Sequence, residues 1–171
     1  MSNLITGQII DAYIKAWYDE TDGQGDPPVY LQFEAQRKTQ EQISHIQPFY
    51  TAIIDARINQ TGLEPLLVRA DMWANRYREA YTDAIAFIAA QNGGKLQWVY
   101  NPDKEHCDTC MSLNGIVAFA TEWDAAGVRP QRAPNAALDC GGWQCGCELR
   151  PTTARRTRNA YDKIVGLRAN G

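Results

Sequence analysis

Five cysteines constrain this chain more than any other feature: Cys107, Cys110, Cys140, Cys145 and Cys147, with none before residue 107. They read as C-x2-C, a gap of 29 residues, then C-x4-C-x-C. A C-x2-C turn lets two thiolates converge on one ion, and a second close pair from a distant segment completes a tetrahedron. The spacing predicts a structural zinc site. Cys107 and Cys110 form its first pair and Cys145 and Cys147 its second, with Cys140 close behind because Gly141 and Gly142 let its loop fold back. The segment holds few large apolar residues for its length, so a bound metal would supply folding energy that a small core does not.

Disulfides and free thiols stay open as alternatives. Met1-Ser2-Asn3-Leu4 lacks the basic start of an export signal, so the expected compartment is a reducing cytoplasm, where disulfides are uncommon. A redox C-x2-C would sit in a βαβ pattern, which the sequence does not show. The odd count leaves one thiol over under the zinc and the disulfide readings alike. His106, beside Cys107, is a further candidate ligand, although a histidine in that position more often faces solvent or bonds to backbone. His45 reads as ordinary surface.

The rest of the chain is helical in texture up to about residue 94. Leu4, Ile5, Ile9, Ile10, Tyr13, Ile14 and Trp17 recur every three or four residues and define one amphipathic helix. Thr21 to Pro28 breaks it. Val29, Leu31 and Phe33 alternate, which predicts a short extended stretch. A second helical pattern runs from about Ala35 to Asn59 with Ile43, Ile46, Phe49, Ile53, Ile54 and Ile58 on one side, and Pro48 predicts a kink or two separate helices there. Glu64-Pro65 restarts a helix, which carries Leu66, Ala70, Trp73, Tyr77, Tyr81, Ala84, Ile85 and Ile88 to the stop at Gly93-Gly94.

Beyond Gly94 the period shortens. Leu96, Trp98 and Tyr100 alternate as on a strand, and Asn101-Pro102 turns it. Ile116 to Phe119 follows the turn dipeptide Asn114-Gly115 as a second strand. Thr121 to Asp124 begins a short capped helix that Gly127 ends, and Glu148 to Arg150 is a third strand before Pro151. The expected fold is α+β in three parts. Residues 1–94 form an antiparallel helical bundle or arm, 95–151 a small zinc-stapled module with short strands, and 152–171 a basic tail or helix.

Charge argues against a general nucleic-acid binder. The net charge is -3, and six basic residues follow Glu148 against one acid, Asp162. That leaves 11 basic against 19 acidic residues in 1–149. Nucleic-acid-binding domains are usually basic overall. Arg155, Arg156 and Arg158 are the candidate contacts to a phosphate backbone or an acidic protein face. No uncharged run approaches the ~20 residues of a membrane span, so no membrane contact is expected.

In order, Trp98, Cys107-Asp-Thr-Cys110, Leu113-Asn114-Gly115, a proline-containing loop, and Cys140-Gly-Gly-Trp143-Gln-Cys145-Gly-Cys147-Glu-Leu149-Arg-Pro151 follow one pattern. It resembles the phage Mu F-like minor head protein family, the phage head morphogenesis family, over roughly residues 95–151. The family pattern runs from a tryptophan-bearing strand through C-x2-C and Leu-x-Gly to a Cys-Arg-Cys or Cys-Arg-His close before Leu-x-Pro. Here Gly146 stands where the arginine is usual. The resemblance implies metal-type positions at Cys107, Cys110, Cys145 and Cys147, with Cys140 near a position that is often His or Cys. It implies a virion component of a tailed bacteriophage, bound to the portal, major capsid or scaffold proteins, acting in capsid assembly or DNA delivery, with packaged DNA as a further contact.

An enzyme is not expected. The sequence holds no P-loop, HExxH, Gly-x-Ser-x-Gly or Rossmann fingerprint, and four thiolates would close a zinc sphere against substrate. Glu105 and Asp108 beside the cysteines suit helix caps better than general bases. The competing reading is a zinc-dependent nucleic-acid-binding or nuclease-like phage protein, whose DNA affinity would fall steeply with salt.

Overall fold

The computed structural model describes residues 2–64, 66–67, 70, 73, 76–132, 135–142 and 145–167. Pro65 of the third helical pattern and Trp143 of the cysteine motif, invoked above, lie outside them. The protein is α+β, with helices and one small antiparallel sheet, and its cysteines cluster in the C-terminal region. The chain divides into two compact units, Met1–Ala84 and Ile85–Gly171. The division falls ten residues ahead of the expected boundary at residue 94.

The first unit is helical. Helix α1, Ser2–Glu20, buries Ile5, Ile9, Ala12, Tyr13 and Ala16, a stripe at helical spacing. Leu4, Ile10 and Ile14, part of the same expected stripe, are exposed. The Thr21–Pro28 break is present, with Asp22, Gly23 and Gly25 at positive φ and the Trp17 indole donating to the Gly25 carbonyl at 3.2 Å.

Helix α2, Val29–Ile58, corrects one expectation and, of the two given for Pro48, removes that of separate helices. Val29 to Phe33 is helix and not an extended stretch: Leu31, Ala35, Lys38, Thr39 and Gln42 are buried at helical spacing, while Val29 and Phe33 point outward. Alternation over five residues cannot outvote a period that Leu31 shares with the next three turns. The helix also runs unbroken through Pro48. Proline leaves the carbonyl four residues earlier without its helical partner. Here Ser44 and Pro48 are both exposed, so water can serve that carbonyl. Ile46, Phe49 and Ala56 are buried, whereas Ile54 and Ile58 are exposed.

Helix α3, Arg76–Gln91, starts in the first unit and ends in the second. Its N-terminal part makes two polar links within the first unit. Asp83 pairs with Lys38 of α2 at 2.5 Å, and the Tyr81 hydroxyl donates to Asp19 of α1 at 2.8 Å. Lys38 is 3% exposed, so the pair is a buried one. Trp73 lies 6.4 Å from Phe49, ring centre to ring centre. In the second unit α3 buries Ile85, Ala86, Ile88 and Ala89. Gly93, at φ +63°, then ends it, and the Gly94 N–H returns to the Ala89 carbonyl at 2.7 Å.

The second unit is built on β1, Lys95–Val99. Short helix α4, Asp108–Leu113, precedes β2, Val117–Phe119, and α5, Ala120–Ala126, follows it. The chain ends in β3, Glu148–Thr152, and α6, Ala160–Gly166. The sheet order is β2-β1-β3, with both pairings antiparallel, Leu96 opposite Ala118 and Trp98 opposite Leu149. Strand β1 alternates as its sequence predicts and turns Leu96 and Trp98 into the core. Pro151 falls inside β3, which is allowed because β3 is an edge strand.

Trp98 and Trp123 meet at 5.7 Å between ring centres, and the Trp123 indole donates to the Leu96 carbonyl at 3.1 Å. Glu122 caps α5 by accepting the Phe119 N–H at 2.9 Å, so the cap lies two residues before the Thr121 start expected. Thr157 bonds β2 through both its N–H and its hydroxyl, and Ala160 and Ile164 are buried.

Candidate metal centre

Each cysteine is placed by a nameable piece of backbone. Cys107 is the N-cap of α4, and its sulfur accepts the Cys110 N–H at 3.4 Å. Capping oxygens normally do this; here a thiol does, and the same contact turns both sulfurs of the C-x2-C to one side. Asp108 is the first residue of α4 and is exposed, as is Glu105. Cys140 sits in the loop before β3, followed by Gly141 and Gly142 at φ +60° and +77°. These left-handed residues reverse the chain toward Cys145. Cys147 lies immediately before β3.

The sulfurs come together from both sequence clusters. All five thiols are free. Cys107, Cys110 and Cys140 lie mutually within 4.8 Å, as do Cys110, Cys145 and Cys147. Cys110 belongs to both trios. Its sulfur is 3.9 Å from that of Cys145. A cation held about 2.3 Å from each of four sulfurs in a tetrahedron separates them by about 3.8 Å, so this edge already has the length a bound ion requires. Cys107, Cys110, Cys145 and Cys147 do not form one quartet at that range, because Cys107 groups with Cys140.

The crowding has an electrostatic consequence. Hydrogen bonds from the Cys110 and then the Cys147 thiol pull Cys145 down to about 2. The bond to Cys145 pushes Cys110 up, and burial drives Cys140 to about 11. The thiols are set against one another, Cys107 and Cys145 lowered and Cys110, Cys140 and Cys147 raised. A metal ion removes that conflict by stabilising several thiolates together.

Residues around the sulfurs brace the centre. The Asp139 carboxylate accepts the Thr109 N–H at 2.9 Å and its hydroxyl at 2.5 Å, and the Asp139 N–H reaches the Thr109 hydroxyl at 3.3 Å. These bonds tie the C-D-T-C turn to the loop carrying Cys140. Gln131, held at φ +61°, donates its amide to the Cys147 carbonyl at 2.7 Å, and its backbone N–H lowers Cys145. The fully buried Trp98 indole N–H has no conventional partner. His106 bonds the Asn101 carbonyl through Nε2 at 2.6 Å and sets Nδ1 3.6 Å from the Cys147 sulfur. Sequence reasoning weighed His106 only as a ligand or a bystander, and it missed Asp139, Thr109 and Gln131. The available signal was a carboxylate directly before Cys140 and a hydroxyl inside the C-x2-C.

Gly146 packs where a Cβ would lie 2.7 Å from the Lys104 side chain and 3.4 Å from that of Asn101. A side chain there would push on the turn that carries His106. His45 is exposed. Of the basic candidates, Arg155 and Arg158 are exposed. Arg156 is committed to the fold: it forks onto Glu122, with Nε donating at 2.8 Å, and lies over the Phe119 ring.

No protein-family model, curated protein or solved structure matches this chain.

Proposed function

We propose that this chain is a structural, non-enzymatic component of a tailed-phage head, a minor head protein of the Mu F-like kind. Its C-terminal unit is a metal-stapled module. Its helical unit docks on the portal, the major capsid or the scaffold during head assembly, DNA packaging or DNA delivery. The observation that carries the reading is the meeting of two cysteine clusters at Cys110 across the 29-residue gap, in the residue order of the family motif. Sulfur ligands from segments that distant do the work of a staple, since binding one ion fixes both ends of a long loop.

Zinc is the ion we assign. All-thiolate sets suit zinc and other soft cations, and zinc adds no redox chemistry that would oxidise its own ligands. The helical unit supports docking with a groove of about 570 Å³ lined by Ile10, Tyr13, Ile14, Tyr18, Pro27 and Leu31. Such a surface takes the apolar face of a partner helix.

The test is cross-linking of the full-length protein, through residues in the helical unit, within assembling phage particles. Capture of portal, capsid or scaffold protein supports the reading. A protein found outside particles, with hydrolytic activity or with DNA affinity that falls steeply with salt, overturns it in favour of the nucleic-acid-directed alternative.

A further inference from the structure

Five sulfurs are one more than a tetrahedral ion takes, and they are not arranged as four ligands and a bystander. A mononuclear four-sulfur site presents a quartet with every edge near about 3.8 Å. This cluster presents two trios, each within 4.8 Å, that share Cys110, and no larger group of the five meets that distance. Both trios draw on the two sequence clusters: Cys140 joins Cys107 and Cys110 in one, and Cys145 and Cys147 join Cys110 in the other.

We propose that the centre holds two thiophilic divalent cations of the zinc type, bridged by the Cys110 thiolate. One is bound by Cys107, Cys110 and Cys140, the other by Cys110, Cys145 and Cys147. This deepens the metal-staple reading and rests on it. Cys110 suits a bridge, being buried on α4 and the one sulfur common to both trios. His106 stands beside the second trio and not in it: Nδ1 lies 3.6 Å from the Cys147 sulfur but not within 4.8 Å of all three sulfurs. The first ion is held by Cys107, Cys110 and Cys140, of which Cys107 and Cys140 are half-buried.

The test uses the reduced full-length chain. Zinc is counted per chain by elemental analysis and native mass spectrometry, and cadmium-113 is substituted for NMR. Two ions per chain, and two cadmium resonances coupled through a shared sulfur, are expected. Cys140→Ser should release one ion and Cys110→Ser both. The cadmium coupling is read on the unsubstituted chain, so the test does not depend on how well Cys110→Ser folds. One ion per chain, with a cysteine still open to alkylation, overturns the two-ion centre and leaves the metal staple intact. No ion overturns both.

Discussion

The Asp139 carboxylate grips Thr109 twice, through the backbone N–H at 2.9 Å and the hydroxyl at 2.5 Å. Thr109 sits between the two cysteines of the C-x2-C, and Asp139 directly precedes Cys140. This contact therefore sets the distance between the two halves of the sulfur cluster before any ion arrives. The Thr109 hydroxyl and then its N–H hold the Asp139 carboxyl below its ordinary range, so the contact is made by the ionised form at neutral pH.

Removing the brace should loosen the metal without removing a ligand. Residues that orient ligands typically cost on the order of 10- to 100-fold in metal affinity when lost. Asp139→Ala is expected to fall in that range in a competition titration against a chromophoric chelator, and Thr109→Val should behave alike. Unchanged affinity in both would show that the loop positions Cys140 by other means.

The Glu122–Arg156 fork gives a pH dependence of known sign. The Arg156 hydrogen bond, ahead of the Phe119 N–H, holds Glu122 below its ordinary 4.5. A carboxylate depressed in the folded state adds stability that is fully present above its unfolded pKa and is lost as pH falls through the folded one. The gap in urea midpoint between the natural protein and Glu122→Gln should be constant above pH 5.5 or so and should close as pH drops below 4.5. A gap that persists under acid conditions would mean Glu122 acts through packing alone.

In the helical unit, Lys38 and Asp83 form a buried pair at 2.5 Å. Removing one partner of such a pair strands the other charge away from water, at about 3–5 kcal/mol, whereas replacing both with apolar residues is often neutral. Asp83→Leu leaves Lys38 only its longer pairing with Glu41 at 3.8 Å, so it should lower unfolding free energy by up to about 3 kcal/mol, and Lys38→Met with Asp83→Leu should recover most of it. Denaturant titration of all three proteins checks the cycle, and additive losses would contradict a direct pairing.

The C-terminal core rests on two indoles. Trp123→Ala removes the ring stacked at 5.7 Å on Trp98 and the bond to the Leu96 carbonyl. Truncating a buried tryptophan typically costs about 3–5 kcal/mol, and the variant should bind metal more weakly because folding and binding are one process there. Calorimetry with and without zinc measures both effects.

Legibility in the sequence followed the range of the interactions involved. Strand β1 was readable because Leu96 and Trp98 alternate against a one-sided core, and the gathering of sulfurs was readable because ligand chemistry imposes spacing. Residues 29–33 misled because Leu31 owes its burial to its place in a longer helical stripe, which five residues do not reveal. Pro48 left two outcomes open because its cost depends on whether the Ser44 carbonyl meets water. The division of the thiols into two trios around Cys110 was not readable at all. It depends on where the Cys140 loop lands, and that is decided by a carboxylate-to-threonine contact spanning 30 residues.

The most direct measurement is the fate of the C-terminal unit when a chelator strips metal from reduced, full-length protein. The account predicts zinc in the purified chain at one or more per molecule. On its removal the near-ultraviolet signal of the Trp98–Trp123 pair should collapse, while much of the far-ultraviolet helical signal persists, and zinc should restore the lost part. A chain that purifies without metal under reducing conditions, keeps its near-ultraviolet signal and gains nothing from zinc would contradict it.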